Sequence, residues 1–134
     1  MTAIFKNKKN LLDTSAVIAL LKKEPGYKII ESIIASSAVS AINLAELITV
    51  LTRFEITENE IEEITADIVP QIIPFCRDLA KRVNILSKHI NGYGLSLGDK
   101  ACIATGEYYN MNIYTADKIW SELKIPNLKI ILVR

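Results

Sequence analysis

The sequence predicts an α/β fold, a parallel sheet with helices on both faces, on three observations. Short apolar stretches alternate with helix-like stretches from end to end, the pattern of a parallel sheet covered on both sides. Half of the 134 residues are hydrophobic, and a domain of this length buries roughly two thirds of its unfolded surface. No repeat, low-complexity segment or linker divides the chain.

Taken in order, residues 9–13 read as a short buried strand feeding a helix over 15–23, so Asp13 falls where the strand ends and the chain turns. In open α/β sheets that edge is where ligands bind. Glu24-Pro25-Gly26 is a turn signal. A second helix covers 27–35, with Ile29, Ile30, Ile33 and Ile34 at helical spacing. A short strand at 38–40 leads into a helix over about 42–54. Thr57 and Glu60 form a capping box opening a helix to about residue 66. Residues 71–73 read as a strand between Pro70 and Pro74, and 75–89 as one long helix. After a loop at 91–94, Ser96 opens a helix to about residue 108, with Gly106 near its end. A strand at 111–115, a short helix at 117–122 and a last strand at 129–133 complete the chain.

Net charge is +1, so no global field advertises nucleic acid. Phosphate contacts must come from local patches, of which Lys6, Lys8 and Lys9 make one and the pairs at 22–23 and 81–82 read as solvated helix surface. Cys76 and Cys102 form no CxxC and fit a reducing compartment, Cys102 as a small buried hydrophobe. Residues 1–10 lack the apolar stretch of a secretory signal. Stretch 33–51 carries one charge, but inserting Glu46 in a bilayer costs about 2.5–3.5 kcal/mol. The expectation is a soluble, cytoplasmic protein with no membrane contact. Its mean hydropathy of +0.25 predicts that a partner or a second copy covers some apolar surface.

Most acids sit among polar residues, and four do not. Asp13 follows a buried strand, and Asp117 follows another. Glu46 lies in a helix with almost no polar face and no Lys or Arg one turn away. Asp99 is set among Leu95, Leu97, Ala101, Cys102 and Ile103. Singly, each has a structural reading: Asp13 and Asp117 as helix caps, Asp99 in a capping box with Ser96, Glu46 paired with a distant cation. Jointly those readings weaken. A parallel sheet brings strand ends to one edge, where three acidic caps would repel one another, and Glu46 starts no helix. A divalent cation such as Mg²⁺ or Mn²⁺, which takes oxygen ligands, accounts for all four.

These residues resemble a PIN domain, and more closely the VapC-type ribonuclease toxins of bacterial toxin–antitoxin pairs. The motifs are Leu11-Leu12-Asp13-Thr14-Ser15, then Ser40 through Glu46-Leu47, then Leu95 through Gly106 around Asp99, and Thr115-Ala116-Asp117. The resemblance implies a single PIN-like domain over 1–134, residues 1–8 being an N-terminal extension of no assigned role. It implies a five-stranded parallel sheet with the first strand central. It also implies a Mg²⁺- or Mn²⁺-dependent endoribonuclease in which Asp13, Glu46, Asp99 and Asp117 bind metal and catalyse. RNA as substrate, a VapB-like antitoxin as partner and a homodimer follow from the same likeness. Where many relatives carry a further acid, this chain has Ile119, Trp120 and Ser121, a departure from the pattern that leaves one ion or two open.

Thr115 is the residue expected to orient the acids from behind. Thr14, Ser15 and Asn43 lie near them with roles left open, and Lys100 reads as an exposed helix lysine. Other chemistries lack their parts. His89, the sole histidine, is far from the acids in sequence, and no glycine-rich phosphate motif appears. A phosphoaspartate enzyme built on Asp13 would want an acid at position 15, which is Ser. Two rivals remain: a catalytically idle PIN-like protein-binding module, and a stand-alone PIN nuclease of RNA processing.

Overall fold

The computed structural model describes residues 9–68 and 71–134. The 1–8 extension and Pro70 therefore lie outside the described residues. Strand β1 (Asn10–Leu12) is followed by α1 (Thr14–Lys22) and α2 (Tyr27–Ile33). Then come β2 (Ser37–Ser40), α3 (Ala41–Arg53), α4 (Glu58–Ile68) and β3 (Ile72–Ile73). Helices α5 (Arg77–Ile85), α6 (Ser87–Ile90) and α7 (Leu97–Tyr109) precede β4 (Asn112–Thr115) and β5 (Lys129–Leu132). The sheet runs β3-β2-β1-β4-β5 with every pairing parallel, so β1 is central as expected.

The centre of the sheet is dry on both sides. Leu11 and Leu12 are fully buried on opposite faces, as the two-residue period of a strand requires. Leu11 joins a core with Cys102 and Ile103 of α7, Leu86, Ile90, Ile113 and Trp120. Leu12 joins Ala16 and Val17 of α1, Ile30 of α2, Leu47 and Leu51 of α3 and Ile61 of α4. Burial of Cys102 matches its reading as a small hydrophobe.

Two expected helices differ. The single helix over 75–89 is broken at Leu86, whose near-zero ψ of −3° stops α5 before α6 begins. The break brings Leu86 and Ile90 into one core while Ile85 stays outside. The helix at 117–122 is a 3-10 helix, Lys118–Glu122. No helix among the described residues is long and apolar enough to cross a membrane.

Gly26 opens α2 at φ +92°, and a Cβ there would overlap the carbonyl oxygen of Val133. Both the backbone and the space exclude a side chain. Gly26→Ala is expected to lose about 2 kcal/mol in urea unfolding; an unchanged midpoint would show that the turn does not hold the carboxyl terminus.

Candidate active site

All five strands end at one edge, and β1 and β4 lie side by side there. With β2 to one side of β1 and β4 to the other, the strand order reverses at β1, and ligands of open α/β sheets bind at the carboxyl ends of strands at such a point. Asp13 is the first residue past β1 and caps α1, its Oδ1 accepting the Ala16 N–H at 2.9 Å and the Ser15 hydroxyl at 2.7 Å. Its Oδ2 accepts the Thr115 hydroxyl at 2.6 Å, a contact from the end of β4. Ser15 also accepts the Ala116 N–H at 2.9 Å, which ties the start of α1 to the end of β4. Asp13 is 3% exposed. Burial pushes its carboxyl up to about 6, outweighing the three hydrogen bonds that favour the charged form.

Glu46 reaches the same edge from α3, half-buried. Its Oε1 accepts the Thr14 hydroxyl at 2.8 Å and the Asn43 amide at 3.0 Å. Asp99 stands at the start of α7 in a full capping box, its Oδ2 accepting the Ser96 N–H at 3.0 Å. Burial raises its carboxyl, and Glu46 and Asp117 raise it further by repulsion. Asp117 is exposed; its Oδ1 accepts the Ile119 N–H at 3.1 Å and its own N–H donates to Thr115 Oγ1 at 3.0 Å. Asp99 likewise raises Asp13. The four acids therefore share one electrostatic neighbourhood, but they are not equally buried: only Asp13 is dry.

Capping is part of the explanation for Asp13, Asp99 and Asp117, and it is absent for Glu46, as the sequence argument held. No cation pairs with any of the four acids among the described residues. Among the described residues the ion pairs are Arg82–Glu107 and Arg134–Glu24, both elsewhere. Lys100 is half-buried and pairs with none of the acids among those residues. Asp13 uses both of its oxygens, whereas Glu46 Oε2, Asp99 Oδ1 and Asp117 Oδ2 accept no hydrogen bond from described residues. Hard oxygen donors with an uncompensated negative charge suit Mg²⁺ or Mn²⁺. The acids stand apart, with no three of them gathered as a ready ligand cage among the described residues.

Two further residues contribute: Asn43, whose role the sequence left open, and Gly98, which it did not single out. Asn43, one turn before Glu46, is 1% exposed and bonds to three elements. Gly98 packs directly against the Glu46 carboxylate. The available signals were the spacing of Asn43 to Glu46 and a glycine inside a helix beside Asp99.

The fold is that of several toxin–antitoxin structures. A chain of VapBC from Salmonella typhimurium, crystallised bound to DNA, superposes with TM-score 0.74 at 15% identity over 94% of this chain and 98% of that one. A chain of VapBC2 from Rickettsia felis, bound to a promoter DNA fragment, gives 0.72 at 20% identity, covering 92% and 97%. VapC20 of Mycobacterium tuberculosis, a toxin that cleaves the sarcin–ricin loop, gives 0.65 at 18% identity, covering 84% and 93%. No curated protein matches the chain. The PIN domain family model matches residues 11–126, from the strand before Asp13 to beyond Asp117. With β2, β3, β4 and all four acids inside that span, this chain belongs to the PIN domain family.

Proposed function

We propose that this protein is a metal-dependent endoribonuclease and the toxin of a toxin–antitoxin pair. The observation that carries the reading is that Asp13, Glu46, Asp99 and Asp117 of a PIN domain share one sheet edge and repel one another, with no cationic partner among the described residues. A bound Mg²⁺ or Mn²⁺ supplies charge neutralisation at the phosphodiester and a water of lowered pKa.

The chain's own residues prepare that chemistry. Ser15, Thr115 and the Ala16 N–H hold Asp13 in one orientation. Thr14 and Asn43 anchor one oxygen of Glu46. Asp99 and Asp117 are pinned by the starts of two helical segments, each with its second oxygen turned away from that bond. Attack by water needs no ribose 2′-hydroxyl, so the products carry 5′-phosphate and 3′-hydroxyl ends. One ion bound by this set fits the lack of a further acid at 119–121.

The partner proposed is a VapB-like antitoxin, and the protein is proposed to act as a homodimer. Two of the similar structures are toxin–antitoxin complexes, and this chain has apolar surface to offer. A groove of about 240 Å³ between α1, α3 and α4 is lined by Ile18, Leu21, Val50, Phe54 and Ile64. Phe54 beside it is 56% exposed. An amphipathic antitoxin helix laid over these first helices would bring a basic side chain to the acidic edge.

Purified protein is to be assayed on structured RNA with Mn²⁺, with Mn²⁺ and excess EDTA, and as Asp13→Asn. Cleavage in the first arm alone, with 5′-phosphate ends, is the expected outcome. Equal cleavage in all three would mean contamination, 2′,3′-cyclic phosphate ends would overturn the mechanism, and no cleavage at all would favour a binding module. Expression should arrest growth, relieved by the co-expressed partner. Unaffected growth at high expression would leave a stand-alone PIN nuclease.

A further inference from the structure

The Glu46 carboxylate sits in a slot with two walls. One wall is Asn43. Its amide nitrogen donates to Glu46 Oε1 at 3.0 Å, and lies 3.3 Å from the carbonyl oxygen of Gly98 and 3.2 Å from Thr14 Oγ1. Ser40 sets the direction of that amide. Ser40 Oγ accepts the Asn43 N–H at 3.1 Å, which leaves its own proton for Asn43 Oδ1 at 2.7 Å. A reversed amide would place oxygen against both the carboxylate and the Gly98 carbonyl, acceptor against acceptor.

The other wall is Gly98, in the first turn of α7 beside Asp99. Its φ is not in the left-handed region, and glycine is a poor helix former. Neither the backbone nor helix propensity therefore accounts for glycine here. A Cβ at this position would overlap the Glu46 carboxylate, its carbon and both oxygens, before anything else.

We propose that Asn43 and Gly98 are positioning residues that seat the Glu46 carboxylate at the acidic edge. Asn43 anchors one oxygen, and the missing Cβ of Gly98 leaves the space the carboxylate occupies. The atoms a methyl would strike belong to the end of a flexible side chain. Gly98→Ala thus moves the carboxylate without disturbing the core, and stability and site function come apart at this residue. The inference rests on the reading of this edge as a cation-binding nuclease centre.

The test compares wild type, Gly98→Ala, Asn43→Ala, Glu46→Ala and the Gly98→Ala/Glu46→Ala double variant. Mn²⁺ affinity is measured by electron paramagnetic resonance titration, melting without metal by calorimetry, and RNA cleavage by kcat and KM. Gly98→Ala should melt at or above the wild-type temperature, bind Mn²⁺ at least tenfold more weakly and lose kcat with little change in KM. In the Glu46→Ala background the same methyl has nothing to displace and should add no further loss. Asn43→Ala should weaken Mn²⁺ to a similar degree, with some loss of stability. Wild-type Mn²⁺ affinity in Gly98→Ala would overturn the proposal, and so would an equal loss from Gly98→Ala with and without Glu46. A wild-type protein that binds no Mn²⁺ would instead remove the cation-centre reading, and the proposal with it.

Discussion

Asp13→Asn should melt roughly 10 °C above the wild type at pH 8 without metal, while losing cleavage of RNA. The physical basis is the burial of a carboxylate that has hydrogen bonds but no counter-charge among the described residues. Its carboxyl lies at about 6 in the folded protein against 3.8 when exposed. The folded state therefore holds this proton more tightly than the unfolded state does. Stability from this group is fully present below pH 3.8, falls as pH rises through about 6, and stays reduced above it by about 3 kcal/mol. Asparagine keeps an oxygen for the Ala16 N–H and the Ser15 hydroxyl and carries no charge to desolvate. Calorimetry in EDTA from pH 4 to 8 should show the wild type losing stability over that window. The variant should lose less, the remainder coming from Asp99, whose carboxyl burial also raises. Adding Mn²⁺ at pH 8 should raise the melting temperature of the wild type and leave the variant where it was. A variant that melts at or below the wild type at pH 8 would show that Asp13 is stabilised by something other than a bound cation.

Trp120→Ala should cost about 3–5 kcal/mol in urea unfolding, the scale for emptying a large aromatic site. Trp120 is the largest of the fully buried side chains, set in the core with Ile113 and Ile125. It also braces the segment after β4, since its backbone N–H donates to the Asp117 carbonyl at 3.2 Å. Loss of the ring should therefore loosen Asp117 as well as the core. Trp120→Phe behaves differently. The indole Nε1 is buried with no hydrogen-bond partner among the described residues, and a buried unsatisfied donor costs about 1–3 kcal/mol. Phenylalanine removes that donor together with part of the ring, so the two effects offset and the net change should stay within about 1 kcal/mol. If alanine and phenylalanine were equally damaging, the indole N–H would have to be satisfied in solution.

Uneven burial of the four acids has a functional sense. Asp13, inside the protein, carries the largest desolvation cost and the most hydrogen bonds, and so has the most to gain from a cation. Asp117 is exposed, and under the proposed function it is the acid that meets an incoming phosphate from the solvent side. In the sequence all four acids adjoin apolar stretches. Exposure of Asp117 removes the burial part of its case and leaves the shared electrostatic field.

The order of strands and helices, the placing of Asp13 at a strand end and the capping box of Ser96 with Asp99 were legible in the amino-acid sequence. They depend on period, caps and turn residues, which act over a few positions. The central place of β1 and the acidic constellation came from the family likeness together with the conflict between apolar surroundings and charge. Only the tertiary structure decided which oxygens face which. Asn43 meets Thr14 across 29 residues and Gly98 across 55, and Thr115 meets Asp13 across 102. The break at Leu86 and the slot around Glu46 are also long-range outcomes. Such contacts form because α3, α7, β1 and β4 are packed against one another, and the spacing of residues along one chain carries no record of that packing.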